Sequence, residues 1–151
     1  MNLSPHFTLA DLIISPTATN QRLTEQFSPP PDVVKNLERH AALILEPLRT
    51  ELVKKNRHLV ITSAYRCPRL NEQVGGAKNS QHLRGEATDI QVPGVSNRNL
   101  IDLIVALKLP FDQLIEEFGS WVHISSASKP HKQILAAKKT NGKTVYENFI
   151  N

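Results

Sequence analysis

Two histidines and one aspartate are the residues of this chain whose types and spacing point most directly to chemistry. In Ser80-Gln81-His82-Leu83-Arg84-Gly85-Glu86-Ala87-Thr88-Asp89-Ile90, an imidazole and a carboxylate stand seven residues apart, with a glycine between them to turn the backbone. Downstream, Trp121-Val122-His123-Ile124-Ser125 puts a second imidazole in the middle of a strand-like run. Two imidazoles and a carboxylate can hold a zinc ion and leave its fourth position to water. An iron(II) oxygenase triad uses the same donors, but takes its first histidine and carboxylate from a closely spaced pair, which this gap does not match. Any one of these histidines alone would be an ordinary sheet-surface residue. The three residues together favour a metal site. His6, His40, His58 and His131 have no comparable context, and His40 reads as a surface or boundary residue.

A hydrolytic zinc also needs a base for its water and a cation for the developing oxyanion. Glu116 and Glu117 precede His123 by seven and six residues. Alternation lets only one of them face the metal. A two-residue Gly119-Ser120 turn would set Glu116 opposite His123, and a three-residue loop would set Glu117 there. Both remain open on spacing alone. Arg66, at the end of a strand, is a candidate oxyanion donor, with a surface salt bridge as its ordinary alternative. Cys67 beside it has no base implied nearby and reads as a half-buried thiol.

The elements that must position these groups are legible as patterns. Residues 86–92 and 121–125 read as strands. Ala87, Asp89 and Gln91 share one face of the first, and Trp121, His123 and Ser125 share one face of the second. If these strands are neighbours, Asp89 and His123 converge, and His82 reaches in from the loop. Thr8 caps a brief helix from Leu9, which Pro16 is expected to end, leaving 17–31 as an extended covering segment. Asp32 is expected to cap a helix over 33–55 with a buried stripe from Val33 to Leu52, kinked or split by Pro47. Residues 59–65 have strand composition, and 69–80 a short helix followed by a Gly75-Gly76 loop. Asn97 can cap a helix over 98–109. Residues 111–118 pair with 121–125, and Asn141-Gly142 signals a hairpin between 133–138 and 144–150. The order of elements suggests one α+β domain over 1–151, an antiparallel sheet with helices on one side.

Composition bounds the function. The chain has 151 residues, enough for one domain with a real core. Net charge is +4 and the pI about 9.4, which suits an anionic partner such as a bacterial envelope. The lysines are scattered, with no basic stripe interleaved with aromatics, so nucleic acid is not expected. Cys67 is the single cysteine and excludes an intrachain disulfide. No run is apolar enough for membrane insertion, and the N-terminus lacks signal-peptide character. Synthesis in the cytoplasm and a monomeric state are expected.

Ser63-Ala64-Tyr65-Arg66, the Ser-x-His-x-x-Gly-x-Ala-x-Asp run from Ser80 to Asp89, and Trp121-Val122-His123 together resemble the M15 family of zinc peptidases. Ser4-Pro5-His6-Phe7 and Phe111-Asp112-Gln113-Leu114-Ile115 resemble its small phage-type branch. The resemblance implies a hedgehog/DD-peptidase-like fold, Zn2+ as cofactor, and His82, Asp89 and His123 as its ligands. It implies Arg66 as the group that polarises the scissile carbonyl and Ser80 beside the substrate; Gln81 and Asn71, on the neighbouring loop and helix, are expected as further substrate-binding residues. Many members place the catalytic glutamate three residues before the last histidine, where this chain has Ser120. Leu114-Ile115-Glu116-Glu117 resembles the branch with its glutamate further upstream, which favours Glu117 as base and keeps Glu116 as the alternative. The substrate implied is the peptide stem of bacterial peptidoglycan. A phage or prophage endolysin, made in the host cytoplasm and acting on the wall after release, fits this reading. A cytoplasmic D-Ala-D-Ala dipeptidase or carboxypeptidase, or a non-catalytic zinc-stabilised binding or virion module, are the alternatives.

Overall fold

Caps and prolines set the N-terminal third. In the computed structural model, which describes residues 1–149, Thr8 caps α1 (Leu9–Ile13) reciprocally. Its Oγ1 accepts from Asp11 N at 3.3 Å, and Asp11 Oδ2 accepts from Thr8 N at 2.7 Å. Pro16 does not leave an extended segment behind it. It opens α2 (Pro16–Asn20), where a fixed φ and a missing N–H suit the first turn, with Ser15 as cap. A 3-10 turn over Thr24–Phe27 follows, so the stretch expected to be extended is largely helical. It does cover the core: Ala18 and Leu23 are buried. Gln26, fully buried, donates through Nε2 to Ile13 O and Tyr65 O, and its Oε1 accepts from Cys67 N, all at 2.8 Å. These bonds pin the chain on both sides of Arg66.

α3 (Pro31–His40) begins at a proline rather than at an Asp32 cap; Asp32 lies in the first turn, near the positive end of the helix dipole. A single π turn, Ala41–Leu45, separates it from α4 (Glu46–Lys54). The break expected at Pro47 therefore falls one turn upstream. Pro47 cannot donate to a preceding carbonyl and its ring needs room, which a widened turn supplies. The apolar stripe Val33, Leu37, Ala41, Ile44, Leu45, Leu48 and Leu52 is buried throughout.

The six strands are β1 (Val60–Ser63), β2 (Ala87–Gln91), β3 (Gln113–Glu117), β4 (Trp121–Ser125), β5 (Gln133–Thr140) and β6 (Lys143–Asn148), ordered β1-β2-β4-β3-β5-β6. α5 (Pro68–Gln73) joins β1 to β2, and α6 (Asn97–Ala106), capped by Ser96 rather than Asn97, joins β2 to β3. The α+β expectation holds, with one correction to the antiparallel sheet: β3 and β5 run parallel. The segment after β4 carries the chain past β3 before β5 begins, a crossover that local pairing signals cannot reveal. Asn141 and Gly142 form the expected turn, with φ of 50° and 76°. Of the expected strand over 144–150, Ile150 lies outside the described residues.

The sheet has two chemically distinct faces. Ile90, Leu114, Val122 and Ile124 are buried against Leu37, Ile44, Leu100 and Ile104 of the helices. The opposite face, bearing Asp89, His123 and Glu117, opens into a cleft of about 970 Å³. Among the described residues, no helix is long and apolar enough to cross a membrane.

Candidate metal centre

Strand register brings the candidate ligands together. Asp89 lies opposite His123 across β2 and β4, and opposite Ser63 across β1 and β2. Residues directly opposed in an antiparallel pair project to the same face. His82 enters from a 3-10 turn, Gln81–Arg84, whose cap is Ser80: the Ser80 Oγ accepts from His82 N at 3.2 Å. Gly85 ends that turn at φ 71°, in the left-handed region. A side chain there would also meet Val33 O at 2.8 Å, so glycine is required both by conformation and by contact with α3.

One ligand atom from each of His82, Asp89 and His123 lies within 4.8 Å of the others, and all three residues are buried. His82 Nδ1 is 2.7 Å from Ala64 O. A carbonyl cannot donate, so Nδ1 carries the hydrogen and Nε2 presents its lone pair to the site. Nε2 is 3.2 Å from Asp89 Oδ1, and His123 Nδ1 is 3.3 Å from the same oxygen. A lone pair facing a carboxylate oxygen at that distance is repulsive unless a proton or a metal ion intervenes. Burial holds the His82 pKa below its ordinary value, which disfavours the proton. Burial works upward on the Asp89 carboxyl, but the two imidazoles outweigh it and hold that carboxyl below the ordinary range. Neutral imidazole and ionised carboxylate are the forms that ligate a metal. The donor set suits a divalent ion that accepts nitrogen and oxygen ligands.

The two glutamates separate cleanly. The loop between β3 and β4 has three residues, Phe118 to Ser120, and it pairs Glu117 with Trp121, Glu116 with Val122 and Ile115 with His123. Neither glutamate lies directly opposite His123, which corrects the register expected for such a loop. Glu117 shares the His123 face one pleat away, its Oε1 3.8 Å from His123 Nδ1, while Oε2 accepts from Trp121 Nε1 at 3.1 Å. Burial, then the charge of Asp89, raise its pKa. Glu116 turns to the helical side, where Oε2 accepts from Asn97 Nδ2 and Oε1 from Gly119 N, both at 2.9 Å.

Arg66 lines the same cleft. Its backbone N donates to His82 O at 3.1 Å, and its guanidinium donates to Asn71 Oδ1 at 2.9 Å. Asn71 is itself held by Ala77 O, 2.9 Å from Nδ2. Expected at the substrate, Asn71 is instead buried behind Arg66 and aims it. Gly76 closes this arrangement, because a Cβ there would collide with both Asn71 Oδ1 and the Arg66 guanidinium. Gly76→Ala is therefore expected to lower kcat/KM about tenfold through misplacement of Arg66. Steady-state kinetics beside a thermal melt check this; an unchanged kcat/KM would contradict it. Ser80 and Gln81 both line the cleft. Gln81 Nε2 donates to Asp112 Oδ2 at 2.8 Å, and Asp112 Oδ1 accepts from His131 N at 2.8 Å. Gln81 Oε1 is buried without a partner among the described residues.

His40 differs most from its expected surface position. It is fully buried behind the ligand strands, with Nδ1 3.0 Å from Ser126 Oγ and Nε2 3.0 Å from Thr88 Oγ1. Burial, with the nearby His123 and His82, lowers its pKa to about 3. The unfolded chain titrates near the ordinary 6.5 and so takes up a proton that the folded chain refuses. Between those values stability should fall with falling pH, by at most about 1.4 kcal/mol per pH unit from this group. Urea midpoints of chelator-treated protein at pH 7 and pH 5 should shift less in His40→Gln; equal shifts would contradict the assignment.

A family model described as Peptidase M15 matches residues 5–125. No curated protein matches the chain. The matched stretch contains His82, Asp89, His123, Arg66 and Glu117 and ends with β4.

Proposed function

This chain belongs to the peptidase M15 family, and we propose that it is a zinc-dependent peptidase that cleaves the peptide stems of bacterial peptidoglycan. The convergence of His82, Asp89 and His123 on one point, with Glu117 and Arg66 in the same cleft, carries the reading. Zinc held by the three ligands would supply Lewis acidity toward a water and a scissile carbonyl. Glu117, whose pKa burial raises, takes the proton of the attacking water and returns one to the leaving amine. The Arg66 guanidinium, aimed by Asn71, pairs with the carbonyl oxygen as it gains charge. Ser80 and Gln81, which line the cleft, orient the peptide along it. A lytic role against the wall, of the kind a phage endolysin performs, is the setting we favour. The net charge of +4 suits the anionic envelope.

Zinc-loaded protein incubated with purified sacculi, and separately with D-Ala-D-Ala, followed by mass spectrometry of the products, tests this. New termini within the stems support it and identify the bond. Cleavage of the free dipeptide alone would reassign the protein as a dipeptidase. Intact sacculi and peptides in the presence of bound metal would favour a binding module.

A further inference from the structure

Beyond the matched stretch, the β5–β6 hairpin builds one wall of the cleft. Glu117 pairs with Ala137 across β3 and β5, Ala137 with Tyr146 across β5 and β6, and Lys139 with Thr144. Lys139, Thr144 and Tyr146 thus share the face that carries Glu117 and His123, and all three line the cleft. Contacts run unbroken from the hairpin to the candidate base. Lys139 Nζ lies 5.3 Å from the Phe118 ring centroid, Phe118 meets Trp121 edge-on with centroids 6.0 Å apart, and Trp121 Nε1 donates to Glu117. Phe118 adopts φ 57° in this arrangement, a conformation that a bulky side chain resists. Lys139 Nζ also donates to Thr144 Oγ1 at 3.0 Å. Its neighbour Lys138, on the other face, is paired with Glu147. Lys139 has no acidic partner among the described residues, and with Arg66 it is one of two Lys or Arg side chains that line the cleft. An ammonium steadied by a ring and a hydroxyl, with no counter-ion, suits an anion that the substrate brings.

We propose that the β5–β6 hairpin is the specificity arm of this cleft and that Lys139 binds a carboxylate carried by the peptide beyond the scissile bond. This inference rests on the peptidase reading and deepens it by naming the substrate class as acidic peptides. Lys139 lies two residues along β5 from the row of Glu117, about 7 Å. That offset reaches a carboxylate on a residue flanking the cleaved bond, such as the free carboxyl of a glutamate in a stem peptide.

The test is equilibrium binding of two short stem peptides, one with free carboxylates and one with those groups amidated. Trp121, the chain's one tryptophan, serves as the fluorescence reporter. Binding is read in zinc-loaded Glu117→Gln protein, so that turnover does not consume the ligand, and KM and kcat are measured in protein that retains Glu117. The carboxylate peptide should bind about fivefold more tightly than its amidated form. Lys139→Gln should erase that preference and raise KM with kcat unchanged, and Lys139→Arg should keep most of it. A preference that survives Lys139→Gln, equal affinity for the two peptides, or no binding of either would overturn the proposal. A Lys139-dependent preference without any cleavage would leave the arm standing and remove the peptidase reading. Cleavage without a preference would do the reverse.

Discussion

Replacing Glu117 by Gln should lower kcat about a thousandfold while the protein still binds one metal ion. The glutamine keeps the shape and an acceptor oxygen for Trp121 Nε1, but it cannot take a proton from water. Three features place this effect at Glu117 rather than at its neighbour. Glu117 shares the ligand face, its Oε1 lies 3.8 Å from His123 Nδ1, and burial raises its pKa. Glu116 spends both its oxygens on Asn97 and Gly119 on the other side of the strand. Glu116→Gln should therefore keep kcat within about threefold and act through stability, with a loss on the order of 1 kcal/mol. Kinetics with metal analysis on both variants decide between them. Full activity in Glu117→Gln, or its loss in Glu116→Gln, would reverse the assignment.

Asp89→Asn should have the second large effect, on metal affinity itself. Asp89 is the single anionic member of the ligand set and touches both imidazoles through one oxygen. Its amide replacement keeps the volume and removes the charge. Loss of an outer-shell partner alone costs about ten- to a hundredfold in affinity, so loss of this ligand should exceed a hundredfold. The linkage is measurable without any substrate. Zinc at about a thousand times its Kd stabilises the folded protein by about 4 kcal/mol; after a hundredfold loss of affinity the same zinc gives only about 1.4 kcal/mol. Denaturant curves with and without zinc report both values. An equal zinc-induced shift in Asp89→Asn would place the metal elsewhere.

What the chain disclosed before folding was what depends on near neighbours. The His82–Asp89 spacing, the alternation that puts Asp89 and His123 on one face, the Thr8 cap and the Asn141-Gly142 turn all follow from local geometry. They agree with the observed register and caps. Where the structure departs from these local signals, the deciding partner is distant in sequence or lies across a turn whose length sets the register. The parallel β3–β5 pair depends on a crossover and not on a hairpin. The pinning role of Gln26 has no mark in the sequence, because its three partners, at Ile13, Tyr65 and Cys67, belong to other elements. His40 carried a usable signal: it lies three residues after Leu37 and four before Ile44, on the buried stripe. Its polarity made it read as a boundary residue, because the hydroxyls of Thr88 and Ser126 that satisfy it are far away in sequence. The choice between Glu116 and Glu117 turned on a loop of three residues, which displaces every pair by one and selects the face. Lys139 had no local mark at all. It became a cleft residue only when β5 paired with β3.

The most direct test of the account is a zinc titration of chelator-treated protein with hydrolysis of a defined stem peptide as the readout. Activity should be absent without metal, rise in proportion to added zinc, and level off at one equivalent, with His82, Asp89 and His123 each required. Hydrolysis that persists in the chelator-treated protein, or no hydrolysis at full zinc occupancy, would contradict it.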